Sequence, residues 1–207
     1  MQHPSFLYFD LGNVLLMFDH RLAARQMAEL AGVSEQRVWD LVFAGSLELR
    51  YEAGELSDQD FYNIFCAETG SRPDMDALLL AAGAIFTPNY SVFPVVAALH
   101  AAGYRLGILS NTCGGHWRYC TSGRYALISQ AFEVYALSYE LKACKPDAKI
   151  FTGAVELAGV PASEIFFVDD TAGHVHAARQ AGLDAVQYTS TARLVADLRQ
   201  RGLQFNY

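Results

Sequence analysis

Ser5-Phe6-Leu7-Tyr8-Phe9-Asp10-Leu11-Gly12-Asn13-Val14 decides how the rest of the chain is read. Four apolar or aromatic residues run into one carboxylate, and a Gly-Asn pair follows at once. A short apolar run bounded by turn residues reads as a strand buried on both faces, as in parallel sheets. Gly12 and Asn13 both tolerate positive φ, so a sharp turn here leaves Asp10 at the carboxyl end of the strand. In open α/β sheets that edge binds ligands. Alone, Asp-x-Gly-Asn need be no more than a turn, so its meaning depends on what the rest of the chain brings to the same edge.

Further strands follow later in the chain. Residues 104–109 run apolar into Ser110-Asn111-Thr112, residues 132–137 end at Ser138, residues 165–168 end in Asp169-Asp170, and a last strand falls near 185–188. Helical periodicity separates them: Val95, Ala98, Leu99 and Ala102; then Ile150, Phe151, Ala154, Val155 and Ala158; then residues 174–181; then Leu194, Val195 and Leu198. Strands alternating with helices of this length mean βαβ units in a parallel sheet with right-handed crossovers.

Between the first strand and the others, residues 19–87 carry helical periodicity only. Ala23, Met27, Leu30 and Ala31 share one face of a helix ended by Gly32. Ser34 caps a second helix lined by Val38, Leu41, Val42 and Gly45, with Trp39 and Phe43 on another side. Ser57-Asp58-Gln59-Asp60 resembles a capping box before Phe61, Ile64 and Phe65. Met75, Leu78, Leu79 and Ala82 give a fourth helix. The expected architecture is therefore α/β: a parallel sheet built from residues 1–18 and 88–207, with a small all-helical insertion, residues 19–87, after the first strand and above the sheet edge.

Composition narrows the function classes. The 207 residues are 52% hydrophobic and 18% charged, which means a well-filled core and little disorder. A net charge of −7 argues against nucleic acid or an anionic membrane as partner. The chain begins directly with strand-like sequence and has no membrane-length apolar stretch, so a cytoplasmic protein is expected. Cys66, Cys113, Cys120 and Cys144 lack zinc spacing and read as reduced thiols.

All carboxyl ends of a parallel sheet point one way, so Asp10, Ser110-Asn111 and Asp169-Asp170 can meet, joined by Lys145 just before a helix. These are the groups that phosphoryl transfer through an enzyme aspartate requires. One carboxylate is the nucleophile. Asp10 and Asp170 supply hard oxygen ligands for Mg²⁺. Ser110 and the backbone N–H groups after it hold phosphoryl oxygens. Lys145 neutralises developing charge.

Phe9-Asp10-Leu11-Gly12-Asn13-Val14-Leu15, Leu109-Ser110-Asn111-Thr112, Lys145-Pro146-Asp147 and Phe167-Val168-Asp169-Asp170 resemble, in order and spacing, the four motifs of the haloacid dehalogenase-like hydrolases. The resemblance implies a Rossmann-like parallel sheet with the active site between sheet edge and cap; the helical insertion, residues 19–87, falls where that family carries its small helical cap, and Arg50-Tyr51-Glu52-Ala53-Gly54-Glu55-Leu56-Ser57 is similar to a cap segment of its sugar-phosphate phosphatases. The resemblance implies a Mg²⁺-dependent phosphatase of a small phosphorylated metabolite, with Asp10 phosphorylated in turnover. It makes Asp10, the Gly12 backbone carbonyl and Asp170 metal ligands, Ser110, Asn111 and Lys145 phosphate-binding, and Asp169 a partner of the metal water or of Lys145.

Two departures from the pattern carry weight. Gly12 stands where most such phosphatases have an acid–base Asp, whose help is typically worth ~10²–10⁴-fold in rate, and a glycine here resembles the glucose-1-phosphate phosphatase branch of the family. His174 stands where the family has Asp or Asn, and reads as a helix-start residue rather than a metal ligand. His176, two residues on, cannot share its face. His116 and Trp117 follow the Ser110 loop and are candidate proton donors or ordinary loop packing. Arg21 and Arg25 read as solvated helix-face residues, and Cys144 beside Lys145 as an inert thiol. Two alternatives remain: a 2-haloacid dehalogenase-type hydrolase, or a poorly active protein that binds a phosphorylated ligand or a protein partner. Whether it is a monomer or a homodimer is not decided by the sequence.

Overall fold

The computed structural model describes residues 3–207. β1 (Phe6–Phe9) leads to β2 (Leu16–Met17). Then come α1 (His20–Ala31), α2 (Glu35–Val38), a π-helical segment (Trp39–Ala44), α3 (Leu47–Glu52), α4 (Asp58–Thr69) and α5 (Met75–Gly83), before β3 (Thr87–Pro88). The remainder is α6 (Phe93–Ala101), β4 (Leu106–Ser110), α7 (Gly114–Thr121), α8 (Ala126–Gln130), β5 (Val134–Leu137), α9 (Ser138–Leu141) and α10 (Ala148–Ala158). It closes with β6 (Ile165–Asp169), α11 (Ala172–Gln180), β7 (Asp184–Gln187) and α12 (Thr191–Gln200).

The sheet is parallel and five-stranded, in the order β5-β4-β1-β6-β7. β1 is its centre, and all four of its residues are buried, as a strand covered on both faces requires. Side chains alternate between the two layers. Leu7 and Phe9 pack with Ile108, Phe166 and Val168 against Val95, Val96 and Leu99 of α6 and Leu194 and Leu198 of α12. Phe6 and Tyr8 pack with Leu109, Ile165 and Phe167 against Ile150, Phe151 and Ala154 of α10 and Val175 and Ala178 of α11. The buried Tyr8 hydroxyl donates to the Ala154 carbonyl at 2.8 Å, so the polar tip is satisfied within the apolar layer.

The helices between residues 20 and 83 build a separate core from Ala24, Met27, Val38, Val42, Leu47, Phe61, Phe65 and Leu78. Their chain leaves and re-enters through β2 and β3, which pair antiparallel. Asp19, Ser34 and Ser57 cap helices by accepting backbone N–H bonds, and Ser57 with Asp60 forms a full capping box. Gly32 ends α1 in the left-handed conformation.

Local readings needed correction. Leu30 is exposed; α1 buries Ala24 and Ala28 beside Ala23, Met27 and Ala31, so its buried stripe is displaced from the expected one. Residues 47–52 form an additional helix. Gly114–Thr121 is a helix, so His116 and Trp117 are not on a loop. Asn13, not Gly12, takes the left-handed backbone in the first turn, at φ 55°. The four cysteines are free, and no helix among the described residues is long and apolar enough to cross a membrane.

Candidate active site

The β1 strand delivers Asp10 to the sheet edge through a backbone bond from its N–H to the Val168 carbonyl at 2.9 Å. The Leu11 N–H returns to Asp10 Oδ1 at 2.7 Å and orients the carboxylate. Asn13 at positive φ swings its amide back toward the sheet, where Nδ2 donates to Asp170 Oδ2 at 3.1 Å. A Cβ on Gly12 would lie 2.8 Å from Cε1 of Phe18, so the aromatic ring fills the space that a side chain at this position would need.

Lys145 is the hub. Its buried Nζ lies 2.9 Å from Asp10 Oδ1 and 2.6 Å from Asp169 Oδ2, and donates to the Leu109 carbonyl at 3.1 Å. Asn111 holds the backbone of this lysine in place. Its Oδ1 accepts the Lys145 N–H at 2.7 Å and its Nδ2 donates to the Lys145 carbonyl at 3.0 Å. The Asn111 amide is therefore committed at both ends, leaving its backbone rather than its side chain to face a ligand. Ser110 is buried at the end of β4, with Oγ donating to the Asn111 carbonyl at 3.1 Å.

Asp169 is fully engaged. Besides Lys145, it accepts the Thr171 N–H at 2.8 Å, and Nδ1 of His174 lies 3.1 and 3.2 Å from its two oxygens. Burial alone would raise its pKa, but His174 and the Lys145 ammonium outweigh that and bring it to about 2. Asp10 behaves differently. Burial pushes its pKa up to about 7; Lys145 opposes the rise, while the charges of Asp169 and Asp170 add to it. Two flanking carboxylates outweigh burial at Lys145, which keeps its proton.

A cleft of about 200 Å³ opens over these groups, lined by Asp10, Gly12, Ser110, Asn111, Lys145 and Asp170 from the sheet edge. Phe18, His20, Glu52, Phe86 and His116 also line it. Glu52 ends α3, and burial pushes its carboxyl up to about 7, with Lys145 pulling down and Asp10 adding to the rise. Glu48, one turn earlier, is raised to about 9 by burial and by Glu52; its Oε1 lies 3.3 Å from His20 Nε2. His116 is buried and held down to about 4 by burial and by His20, so its imidazole is neutral near pH 7.

Of the residues that the sequence singled out, Asp10, Gly12, Ser110, Asn111, Lys145, Asp170, His116 and His174 all line this cleft, and Asp169 lies beneath it against Lys145. Trp117 turns away and packs on Tyr135, with ring centroids 5.0 Å apart. Arg21 lies 3.6 Å over the Trp39 ring, and Arg25 and His176 are exposed outside the cleft. Burial raises the Cys144 thiol pKa rather than lowering it, consistent with an inert thiol. Sequence reasoning missed His20 and Glu52. Glu52 lay in plain view within Arg50–Ser57, but only the fold turns its carboxyl toward Asp10.

Carboxylate oxygens of Asp10, Asp169 and Asp170 lie within 4.8 Å of one another, while Lys145 contributes a single positive charge. Surplus negative charge and oxygen-only donors fit a hard divalent cation such as Mg²⁺. Asp169 lies outside the cleft lining with both oxygens held by Lys145, Thr171 and His174, so Asp10 and Asp170, which line the cleft beside Gly12, are the carboxylates that would hold one.

The family model described as haloacid dehalogenase-like hydrolase matches residues 7–182. Among solved structures, the fold is similar to a HAD family enzyme of Bacteroides thetaiotaomicron in complex with magnesium and inorganic phosphate. That pair is 24% identical, covers 89% of this chain and 93% of the other, and has a TM-score of 0.77. A predicted HAD-like family hydrolase of Porphyromonas gingivalis is 21% identical over 95% and 98% of the two chains, with a TM-score of 0.79. The L-2-haloacid dehalogenase of Xanthobacter autotrophicus with chloropropionic acid covalently bound is 20% identical over 95% and 83%, with a TM-score of 0.63.

Proposed function

This chain belongs to the haloacid dehalogenase-like hydrolases, and on that premise we propose that it is a Mg²⁺-dependent phosphatase of a small phosphorylated metabolite, such as a sugar phosphate. The observation that carries this reading is the Asp10–Lys145–Asp169 cluster with Asp170 beside it, which leaves two carboxylates for a cation. The Bacteroides enzyme, whose fold is similar, was solved with magnesium and inorganic phosphate, which supports the same choice. Residues 19–87 then serve as a cap over a catalytic core of 1–18 and 88–207.

In this reading Asp10 is the nucleophile. Its carboxylate attacks phosphorus, the bond to the leaving oxygen breaks with its electron pair, and the phosphoryl group rests on Asp10 until water displaces it. Lys145 stabilises the charge that gathers on nucleophile and phosphoryl group, from a position set by Asn111. Asp169 keeps that ammonium charged and aimed. Ser110 and the backbone N–H groups after it receive phosphoryl oxygens. Asp10 and Asp170 would hold Mg²⁺, which would supply positive charge to offset that of the phosphate. A cation in this place has no use in attack on carbon, so Asp170 favours phosphate over the dehalogenase alternative.

The test is hydrolysis of p-nitrophenyl phosphate and a panel of sugar phosphates, with Mg²⁺ and with chelator. Expected is Mg²⁺-dependent turnover that falls at least ~10³-fold in Asp10→Asn, in line with loss of a nucleophile. Chelator-insensitive halide release from 2-chloropropionate would instead favour the dehalogenase. Binding of phosphate without turnover would favour a non-catalytic protein.

A further inference from the structure

A phosphatase of this design needs a group that protonates the leaving oxygen and later deprotonates water, and Gly12 offers none. The vacant role is not recovered nearby on the same loop. Phe18 occupies the space beside Gly12, and Asn13 is spent on Asp170. Lys145 is bound to two carboxylates, Asp169 is saturated, and His174 lies against Asp169. His116 is neutral and buried.

Among the residues that the helical insertion adds to the cleft lining, one carboxyl group is left over. No described group hydrogen-bonds the Glu52 carboxyl, although its backbone is held firmly. The Glu52 carbonyl accepts a hydrogen bond from Ser138 Oγ at 2.7 Å, and Ser138 Oγ in turn accepts the N–H of Thr112, two residues beyond Ser110, at 2.9 Å. The preceding Tyr51 hydroxyl accepts the Gly115 N–H at 3.1 Å, and Lys142 Nζ donates to the Gly54 carbonyl. Three residues of the helical insertion, Tyr51, Glu52 and Gly54, are thus tied to the segments that follow β4 and β5, and Glu52 lines the cleft that contains Asp10 and Lys145.

We propose that Glu52 is the general acid and base of this site, taking from the helical insertion the role that Gly12 cannot fill. This rests on the phosphatase reading above. In the first half-reaction the Glu52 carboxyl gives its proton to the leaving oxygen as the phosphorus–oxygen bond breaks and Asp10 is phosphorylated. In the second, the Glu52 carboxylate takes a proton from water while the water oxygen attacks phosphorus and the electron pair of the broken bond returns to Asp10. Ester and water become alcohol and phosphate, and Glu52 ends protonated as it began. The titratable groups around it are Glu48 on its own helix, Asp10, Lys145 and Cys144 on the sheet edge, and Cys113 and His116 at the start of α7. Burial raises Glu52 enough for it to hold a proton near neutral pH, which supports the donor role.

The experiment compares wild type, Glu52→Gln and Glu52→Asp on glycerol 1-phosphate, whose leaving group needs a proton, and p-nitrophenyl phosphate, whose leaving group does not. Expected for Glu52→Gln is a loss of ~10²–10⁴-fold in kcat on the glycerol ester. On the aryl ester the variant gives a rapid burst of one p-nitrophenol per site followed by slow turnover, because dephosphorylation lacks its base. The burst counts folded sites within the same sample, and Glu52→Asp recovers part of the steady-state rate. An equal loss on both esters without a burst, or no loss, would overturn the assignment of Glu52 while wild-type activity leaves the phosphatase reading intact. A wild type inactive on both esters overturns both.

Discussion

Asp10 and His116 lie in one cleft, both buried, and burial acts on them in opposite senses. It disfavours the charged form of each, so the carboxylate pKa rises and the imidazole pKa falls. For His116 the consequence can be signed. Its folded-state value of about 4 lies below the ordinary 6.5, so between those pH values the unfolded chain holds a proton that the native one refuses. Its contribution to stability therefore falls as pH drops from about 6.5 toward 4, by up to about 3 kcal/mol. Urea unfolding of wild type and His116→Gln at pH 7, 6, 5 and 4.5 should show the wild type losing stability relative to the variant. The difference isolates His116 from Asp10, Glu48 and Glu52, whose raised values slope the other way. A constant difference across that range would mean that the imidazole is solvated.

At the scale of elements, the link between α3 and the sheet edge decides whether the cleft is complete. Gly54 sits in that link at φ 67°, and a Cβ there would collide with the Tyr139 carbonyl and lie 2.8 Å from Lys142 Nζ. Gly54→Ala is expected to cost about 1–2 kcal/mol from the left-handed backbone alone. The collision adds to this and pushes α3 from α9. Phosphatase kcat should fall at least ~10-fold as Glu52 moves, while far-UV circular dichroism stays native; unchanged kcat would show that α3 needs no such seat. Apolar patterning revealed most of the long elements, because β1, β4 and β6 are continuous apolar runs buried on both faces, whereas α6, α10 and α12 repeat their buried residues at helical spacing. It did not reveal α3, a six-residue helix whose stability comes from Tyr51 and Leu47 packing on other helices. Nor did it reveal α7, which opens on Gly114-Gly115 where propensity argues against a helix, or the displaced stripe of α1.

For the whole molecule, the excess of carboxylates over Lys145 at the cleft floor stores repulsion that a bound cation relieves. Mg²⁺ should therefore stabilise the fold by mass action, by about 2.7 kcal/mol at a hundredfold excess over its Kd. For a chain of 207 residues that is roughly 2–4 °C in Tm per kcal/mol. Thermal unfolding with and without Mg²⁺ checks it, and Asp170→Asn should abolish most of the shift whereas Asn111→Ala should leave it. A shift that persists in Asp170→Asn would place the cation elsewhere.

The parallel α/β sheet, the helical insertion after its first strand, and the convergence of Asp10, Ser110, Lys145 and Asp169-Asp170 are written in the local pattern of the chain. Each of these follows from short-range order, because apolar runs set the strands and every parallel strand presents its carboxyl end on one edge. How these groups are engaged comes instead from contacts across the fold. The tertiary structure committed the Asn111 amide to the Lys145 backbone, bound both oxygens of Asp169 and filled the space beside Gly12 with Phe18. It also carried Glu52 over the cleft, on hydrogen bonds that join residues 86 positions apart in the chain. Contacts of such separation leave no local pattern, since a carboxylate ending a short helix reads the same whether it faces solvent or Asp10.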